Sequence, residues 1–381
     1  MSVFSGGGVR AGHFTRNVPG GVSLSDLDWL FCDKRLCVTS HLPAPVPFVP
    51  DFSMLIDKLG RTISNLRISV TDRCNFRCVY CMPEEGLRWL SRDRLLSFEE
   101  IERLVRVFSD LGIRKLRLTG GEPLVRSGLD ELVQKLVRVP GIEDIALTTN
   151  GVLLAEQAEG LAQAGLKRVN VSLDSVDRET FEAMARRDAL DRVLAGLEAA
   201  AQHFEGPIKL NTVLIRGVND QEILGFAELA RRPNFEVRFI EFMPLDAQQE
   251  WKLDRIVSGE EIRDVIHAKY PIRPGRQGDG RAPSQDWVFA DGVGGKVGFI
   301  DSVTRPFCDH CNRIRITADG KLRTCLFSTG ETDLLALVRG DVGDAQIAET
   351  IQAAVWNKEP GHKINQPDFV PASRSMSQIG G

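Results

Sequence analysis

The fold this sequence predicts is an α/β barrel, or part of one, and three observations predict it. Short apolar, β-branched runs recur at 65–70, 115–119, 144–149, 168–173, 208–213 and 236–242. Helical patterns separate them, at Phe98–Leu111, Leu129–Val137, Leu153–Ala164, Leu190–His203 and Gln221–Ala230. Polar clusters stand at the strand ends. Strand–helix units in succession give a parallel sheet with right-handed crossovers, and the closed form of such a sheet is a barrel.

At 381 residues, 43% apolar and 26% charged, the chain is long enough for one large α/β domain with an extension, or for two domains. The formal charge is −4 and Lys/Arg are not interleaved with aromatics, which argues against nucleic acid as the partner. No apolar stretch approaches the ~18 residues that cross a bilayer. The eight cysteines are clustered in a chain with no secretory signal, a pattern of metal ligation in a reducing compartment rather than of disulfides.

Residues 1–53 form a leader rich in Gly and Pro and are expected to be disordered. Arg10 and Arg16 precede the first acidic residue, Asp26, so an organelle transit peptide stays open. The location expected is cytoplasmic, or the mitochondrial matrix if 1–53 is such a peptide. Cys32 and Cys37 lie here and receive no metal role. Residues 54–250 carry the repeated units, and 251–381 a C-terminal extension.

The strand ends hold the chemistry. After the first come Cys74, Cys78 and Cys81; after the second, Gly120-Gly121-Glu122-Pro123; after the third, Thr148-Thr149-Asn150. The later units contribute Ser172-Leu173-Asp174, Lys209-Leu210-Asn211 and Glu241-Phe242-Met243-Pro244. Barrel enzymes build their sites at the carboxyl ends of strands, so six such clusters point into one cavity. Three thiolates can hold three irons of a four-iron cluster and leave the fourth open to an outside ligand. Structural zinc is the alternative for closely spaced thiols, but it would not need that constellation.

In the extension, a Gly/Pro/Arg-rich loop from Pro271 to Pro283 precedes strand-like runs at 287–289 and 296–301. A second thiol group follows, Cys308, Cys311 and Cys325, and then helices at Asp333–Val338 and Ala345–Val355. His310 is either a further ligand or a solvated side chain in a tight loop. Arg313 and Arg315, two apart, would point the same way from an extended segment. Arg67 and Arg117 sit inside strands, where Arg is rare unless paired. With Lys209 these make five cations that suit a polyphosphate, because guanidinium groups bind phosphate bidentately. No G-x4-G-K-[ST] loop is present, and Gly292–Gly298 reads as a turn rather than a dinucleotide fingerprint.

The spacing C-x3-C-x2-C, with Tyr80 before the last Cys, resembles the radical S-adenosylmethionine (SAM) enzymes. Taken with Arg117-Leu118-Thr119-Gly120-Gly121-Glu122-Pro123-Leu124, Thr148-Thr149-Asn150-Gly151, Cys311-Asn312-Arg313-Ile314-Arg315 and the terminal Gly380-Gly381, it is similar to one family, the GTP 3',8-cyclases of molybdenum cofactor biosynthesis. The resemblance implies an incomplete six-unit barrel of the radical SAM type, closed by the C-terminal α+β extension. It implies two [4Fe–4S] clusters, one on Cys74, Cys78 and Cys81 with SAM at the open iron, the other on Cys308, Cys311 and Cys325 facing the purine of GTP. SAM would meet Tyr80, Gly121, Ser172 and Met243, with Glu122 near its amino group. GTP would meet Arg67, Arg117, Thr148, Lys209, Arg313, Ile314 and Arg315.

The implied reaction of this lyase abstracts hydrogen from C3' of GTP and joins C3' to C8, giving (8S)-3',8-cyclo-7,8-dihydroguanosine 5'-triphosphate. Implied partners are a flavodoxin- or ferredoxin-like electron donor and cyclic pyranopterin monophosphate synthase; the sequence leaves the oligomeric state open, a homodimer included. The diglycine tail either enters the site or frays.

Overall fold

The computed structural model describes residues 54–245, 251–276, 281–372 and 374–380. The leader with Cys32 and Cys37, and Gly381, lie outside the described residues. A short hairpin opens the described chain, β1 (Leu55–Ile56) with β2 (Thr62–Ile63). The repeated units follow as β3 (Asn65–Ser69), α1 (Phe98–Asp110), β4 (Lys115–Thr119), α2 (Leu129–Val137), β5 (Asp144–Thr149), α3 (Leu154–Gln163) and β6 (Arg168–Ser172). They continue with α4 (Arg178–Ala185), α5 (Leu190–His203), β7 (Ile208–Leu214), α6 (Ile223–Ala230) and β8 (Phe235–Glu241). Each predicted strand and helix of this stretch is present within a residue or two. The helix α4 was not expected.

The extension contributes α7 (Gly259–Lys269), β9 (Ile272–Pro274), β10 (Gln285–Phe289), β11 (Lys296–Ile300), β12 (Arg313–Ile316), β13 (Lys321–Arg323) and β14 (Thr332–Asp333). It ends in α8 (Leu334–Arg339), α9 (Asp344–Trp356) and α10 (Met376–Ile379). The Pro271–Pro283 stretch is therefore not all loop, since its first residues pair antiparallel with β10 as β9. The turn expected in the Gly292–Gly298 run is found, although Gly298 already belongs to β11.

The described strands β3 to β14 make one sheet in the order β14-β13-β12-β3-β4-β5-β6-β7-β8-β11-β10-β9. The eight from β12 to β11 are parallel throughout. The extension thus lengthens the sheet at both edges, and the outermost strands do not pair, so the barrel stays open. Ile300 and Arg313 end strands on opposite flanks of the six repeats. Laid flat, those eight strands would span roughly 34 Å at ~4.8 Å per strand. Twelve residues reach about 40 Å only when fully extended. The 301–312 crossing contains turns, including a 3-10 turn at Cys308–His310, so the sheet must curl for the chain to bridge it.

Alternation along each strand decides what the curl encloses. In β3, Leu66 and Ile68 are buried in the core, whereas Arg67 turns to the opposite face. Leu116 and Leu118 do the same against Arg117, Val169 and Val171 against Asn170, and Val237 and Phe239 against Arg238. The apolar face packs on helices such as α1, whose inward side carries Ile101, Leu104, Val105 and Phe108. A capping box starts α1: the Glu100 N–H donates to Ser97 Oγ (3.1 Å) and the Ser97 N–H to Glu100 Oε2 (2.7 Å). The polar face is left inside.

Candidate active site

That inner face lines a cavity of about 550 Å³. All six cysteines of the two predicted groups border it, with Tyr80, Gly121, Glu122, Thr148, Ser172, Met243 and the five predicted cations. Ile314 is the exception: it lies between two lining residues, Arg313 and Arg315, with its own side chain buried in the hydrophobic core. His310 is exposed and does not border the cavity, in keeping with the solvated reading. Lys209 corrects one expectation. It stands at the start of β7 rather than its end, so the cavity extends down the barrel interior and not only across the carboxyl ends of the strands.

Strand direction sets the two thiol groups apart. Cys74, Cys78 and Cys81 follow the carboxyl end of β3. Cys311 precedes β12, which runs parallel to β3, and Cys325 leaves β13, which is antiparallel to β12. The second group therefore lies at the opposite end of the same strands. The five-residue length of β3, roughly 16 Å, separates them.

At the upper end the thiols are buried: burial, with Glu122 adding, pushes Cys74 up to about 11, and burial, with Cys74 adding, pushes Cys81 up to about 12. Three thiolates crowded there need a strong local cation, which cluster iron supplies. Among the described residues, no set of three His, Cys, Asp or Glu side chains closes around a single metal ion. With three thiols and no fourth ligand in each among the described residues, the two groups fit a four-iron cluster apiece better than structural zinc, which takes four ligands. Around the loop, the Tyr80 hydroxyl donates to Asp174 Oδ2 (2.5 Å), and Asp174 Oδ1 accepts from the Val213 N–H (2.9 Å). Burial lifts Asp174 to about 6. Glu122 accepts from Thr149 Oγ1 (2.6 Å), the Asn150 N–H (2.7 Å) and the Leu124 N–H (3.0 Å), yet burial still raises it to about 7. Gly121 is required for close approach, because a Cβ there would lie 2.4 Å from the Arg73 carbonyl oxygen.

Between the thiol groups the wall is cationic. Arg315, Arg67 and Arg117 occupy one register row on three adjacent strands. Among the described residues no carboxylate pairs with them or with Arg313. Burial, and then Arg313, lower Arg67 to about 10; burial and Arg67 push Arg117 and Arg315 well below the usual guanidinium range. Asn170 Oδ1 and Arg238 Nε, on the same wall, are buried without a hydrogen-bond partner among the described residues. Buried like charges and orphaned polar atoms are costly in isolation, and an anionic, hydrogen-bonding ligand offsets both. The tail is part of the wall: Arg315 Nη1 donates to the carbonyls of Ile379 (3.3 Å) and Gly380 (2.9 Å). Gly380 holds φ +74°, and a Cβ on it would press within 3.2 Å of Ser69 and Thr119.

At the lower end burial still raises Cys325, but the balance is reversed at Cys311. Burial raises Cys311, but Arg313 and Lys358 more than offset it, leaving about 7. Arg313 Nη2 lies 3.8 Å from Cys311 Sγ. Sequence reasoning placed Asp174 at a strand end facing the cavity, as found, and missed Lys358, Arg61, Arg238 and His362. Arg238 carried a readable signal, a charge on a strand between two apolar residues; Lys358 and Arg61, in loops, carried none.

An open parallel α/β barrel with three thiols at the end of its first repeated strand defines a radical SAM protein. The sequence matches the Radical SAM superfamily over residues 68–230 and Molybdenum Cofactor Synthesis C over residues 235–364. A GTP 3',8-cyclase of Rhodopirellula baltica is 44% identical over 330 residues, covering 86% of this chain and 92% of the relative. That of Streptomyces coelicolor is 46% identical over 330 residues, covering 86% and 96%. Among solved structures, Streptococcus suis SuiB bound to S-adenosylmethionine superposes with a TM-score of 0.53 at 14% identity, over 83% of this chain and 78% of that one, a likeness of fold. The chain belongs to the GTP 3',8-cyclase family.

Proposed function

We infer that the chain is a radical SAM lyase that converts GTP to (8S)-3',8-cyclo-7,8-dihydroguanosine 5'-triphosphate, the first step of molybdenum cofactor biosynthesis. The observation that carries this reading is the single cavity bordered by both thiol groups with unpaired arginines between them. Cys74, Cys78 and Cys81 would hold one [4Fe–4S] cluster and Cys308, Cys311 and Cys325 the other. The clusters and SAM, when bound, supply the radical chemistry; the chain supplies position and charge.

Tyr80, Gly121, Ser172 and Met243 form the SAM end, and the nearby Glu122 carboxylate suits an ammonium group. Arg67, Arg117, Lys209, Arg313 and Arg315 suit the triphosphate, with Thr148 and the backbone at Ile314 between them. Each charge-assisted bond to phosphate contributes about 1.5–3 kcal/mol. The tail, pinned by Arg315, contributes Met376 and Ser377 to the lining of the cavity. A flavodoxin- or ferredoxin-like donor, a downstream cyclic pyranopterin monophosphate synthase and a homodimer complete the proposal. None of the described helices is long and apolar enough to cross a membrane. The relatives compared are bacterial, and a cytoplasmic location is proposed on that ground.

The test is an anaerobic incubation of the reconstituted protein with reductant, SAM and GTP, with product identification. Deoxyadenosine formed together with the cyclised nucleotide is the expected result. Deoxyadenosine formation stimulated by a peptide and not by GTP rejects the reading.

A further inference from the structure

Resting on the reading of Cys308, Cys311 and Cys325 as auxiliary-cluster ligands, we propose that Lys358 is a fixed positive charge that raises the reduction potential of that cluster. Lys358 is 2% exposed, follows α9, and borders the cavity together with the three thiols. Its ammonium donates to the Arg313 carbonyl (3.1 Å) and to the Thr324 carbonyl, two residues beyond Cys311 and one before Cys325. No carboxylate pairs with it among the described residues.

Arg61, which bonds the Cys308 carbonyl of the same thiol group, makes the contrast. It donates to the carbonyls of Cys308 (2.8 Å), Pro360 (2.8 Å) and Glu359 (2.6 Å), but Asp57 Oδ2 sits 2.5 Å from its Nε and neutralises it. Arg61 therefore braces the loop without adding net charge. Lys358 makes no such ion pair, and the carbonyls that hold its ammonium are two residues from Cys311 and one from Cys325. A neutral donor would satisfy the two carbonyls equally well. Among the described residues, the one carboxylate whose charge acts on Lys358 is that of Glu359, which accepts from Thr324 Oγ1 (2.6 Å) and forms no ion pair with the ammonium, so the buried ammonium still gains from the negative charge that three thiolates on a cluster provide. One-electron reduction adds a further negative charge to such a cluster, and a nearby cation favours the reduced state.

The experiment is EPR-monitored potentiometry, with a chemical titrant as the electron source, on full-length protein carrying Cys74→Ala, Cys78→Ala and Cys81→Ala. In that background only the auxiliary cluster reports. Lys358→Gln keeps a donor and removes the charge. It is expected to lower the reduced-to-oxidised ratio at fixed poise roughly tenfold, about 59 mV for a one-electron couple. Lys358→Arg is expected to keep the parent midpoint. An unchanged midpoint in Lys358→Gln overturns the proposal, even if GTP binds more weakly. Should Lys358→Gln fail to hold iron, retention of iron and midpoint by Lys358→Arg supports the charge, and loss of iron there as well overturns it. Absence of any cluster in the parent background would instead reject the reading of the second thiol group.

Discussion

Arg315 has two roles in this structure, since the guanidinium that faces the cavity also holds the carbonyls of Ile379 and Gly380. Arg315→Ala should lower GTP-dependent turnover ~10–100-fold, from ~1.5–3 kcal/mol per lost charge-assisted contact. SAM cleavage without GTP should change little in the same assay; equal loss of both would assign the residue to structure alone. Lys209 gives a pH signature. Burial, with Arg238, lowers it to about 8. Only the ammonium attracts a triphosphate, and the bound anion would raise its pKa again. GTP affinity measured by calorimetry should therefore be flat below pH 8 and weaken above it, by up to about tenfold per pH unit. Lys209→Arg should abolish that dependence, and a dependence that persists would assign the titration to another group.

Among the elements, the strands were legible because each alternates. Leu66 and Ile68 against Arg67, or Val169 and Val171 against Asn170, give a period of two with one apolar face. Strands buried on both sides would have read as continuous apolar runs. That alternation already implied a polar interior, and Lys209 near the start of β7 belongs to it. The helix α1 was legible from its capping box as well as its apolar period. Ser97→Ala should cost about 1 kcal/mol, seen as a lower thermal midpoint with unchanged GTP-dependent turnover. A fall in turnover at an unchanged midpoint would place Ser97 nearer the chemistry than α1 suggests. The short strands β9 and β12 to β14 are pairings rather than patterns. Ile272–Pro274 becomes a strand because β10 lies beside it.

Across the whole molecule, curling the sheet brings two distant thiol groups to one cavity. Replacing Cys308, Cys311 and Cys325 by Ser should halve the iron from about eight per chain to about four. GTP-dependent product should vanish in that variant while reductive SAM cleavage persists; full iron content would mean that the second group binds none. The sequence by itself determined the repeated strands and helices, the six thiols and five of the cavity's cations, since spacing and alternation are local properties of a chain. The tertiary structure alone decided that β11 and β12 extend opposite edges of the sheet, that parallel pairing puts the thiol groups at opposite ends, and that Lys358 and Arg61 reach the second group from loops. Those facts depend on hydrogen bonds between residues up to 299 positions apart, and no local pattern encodes contacts over that separation.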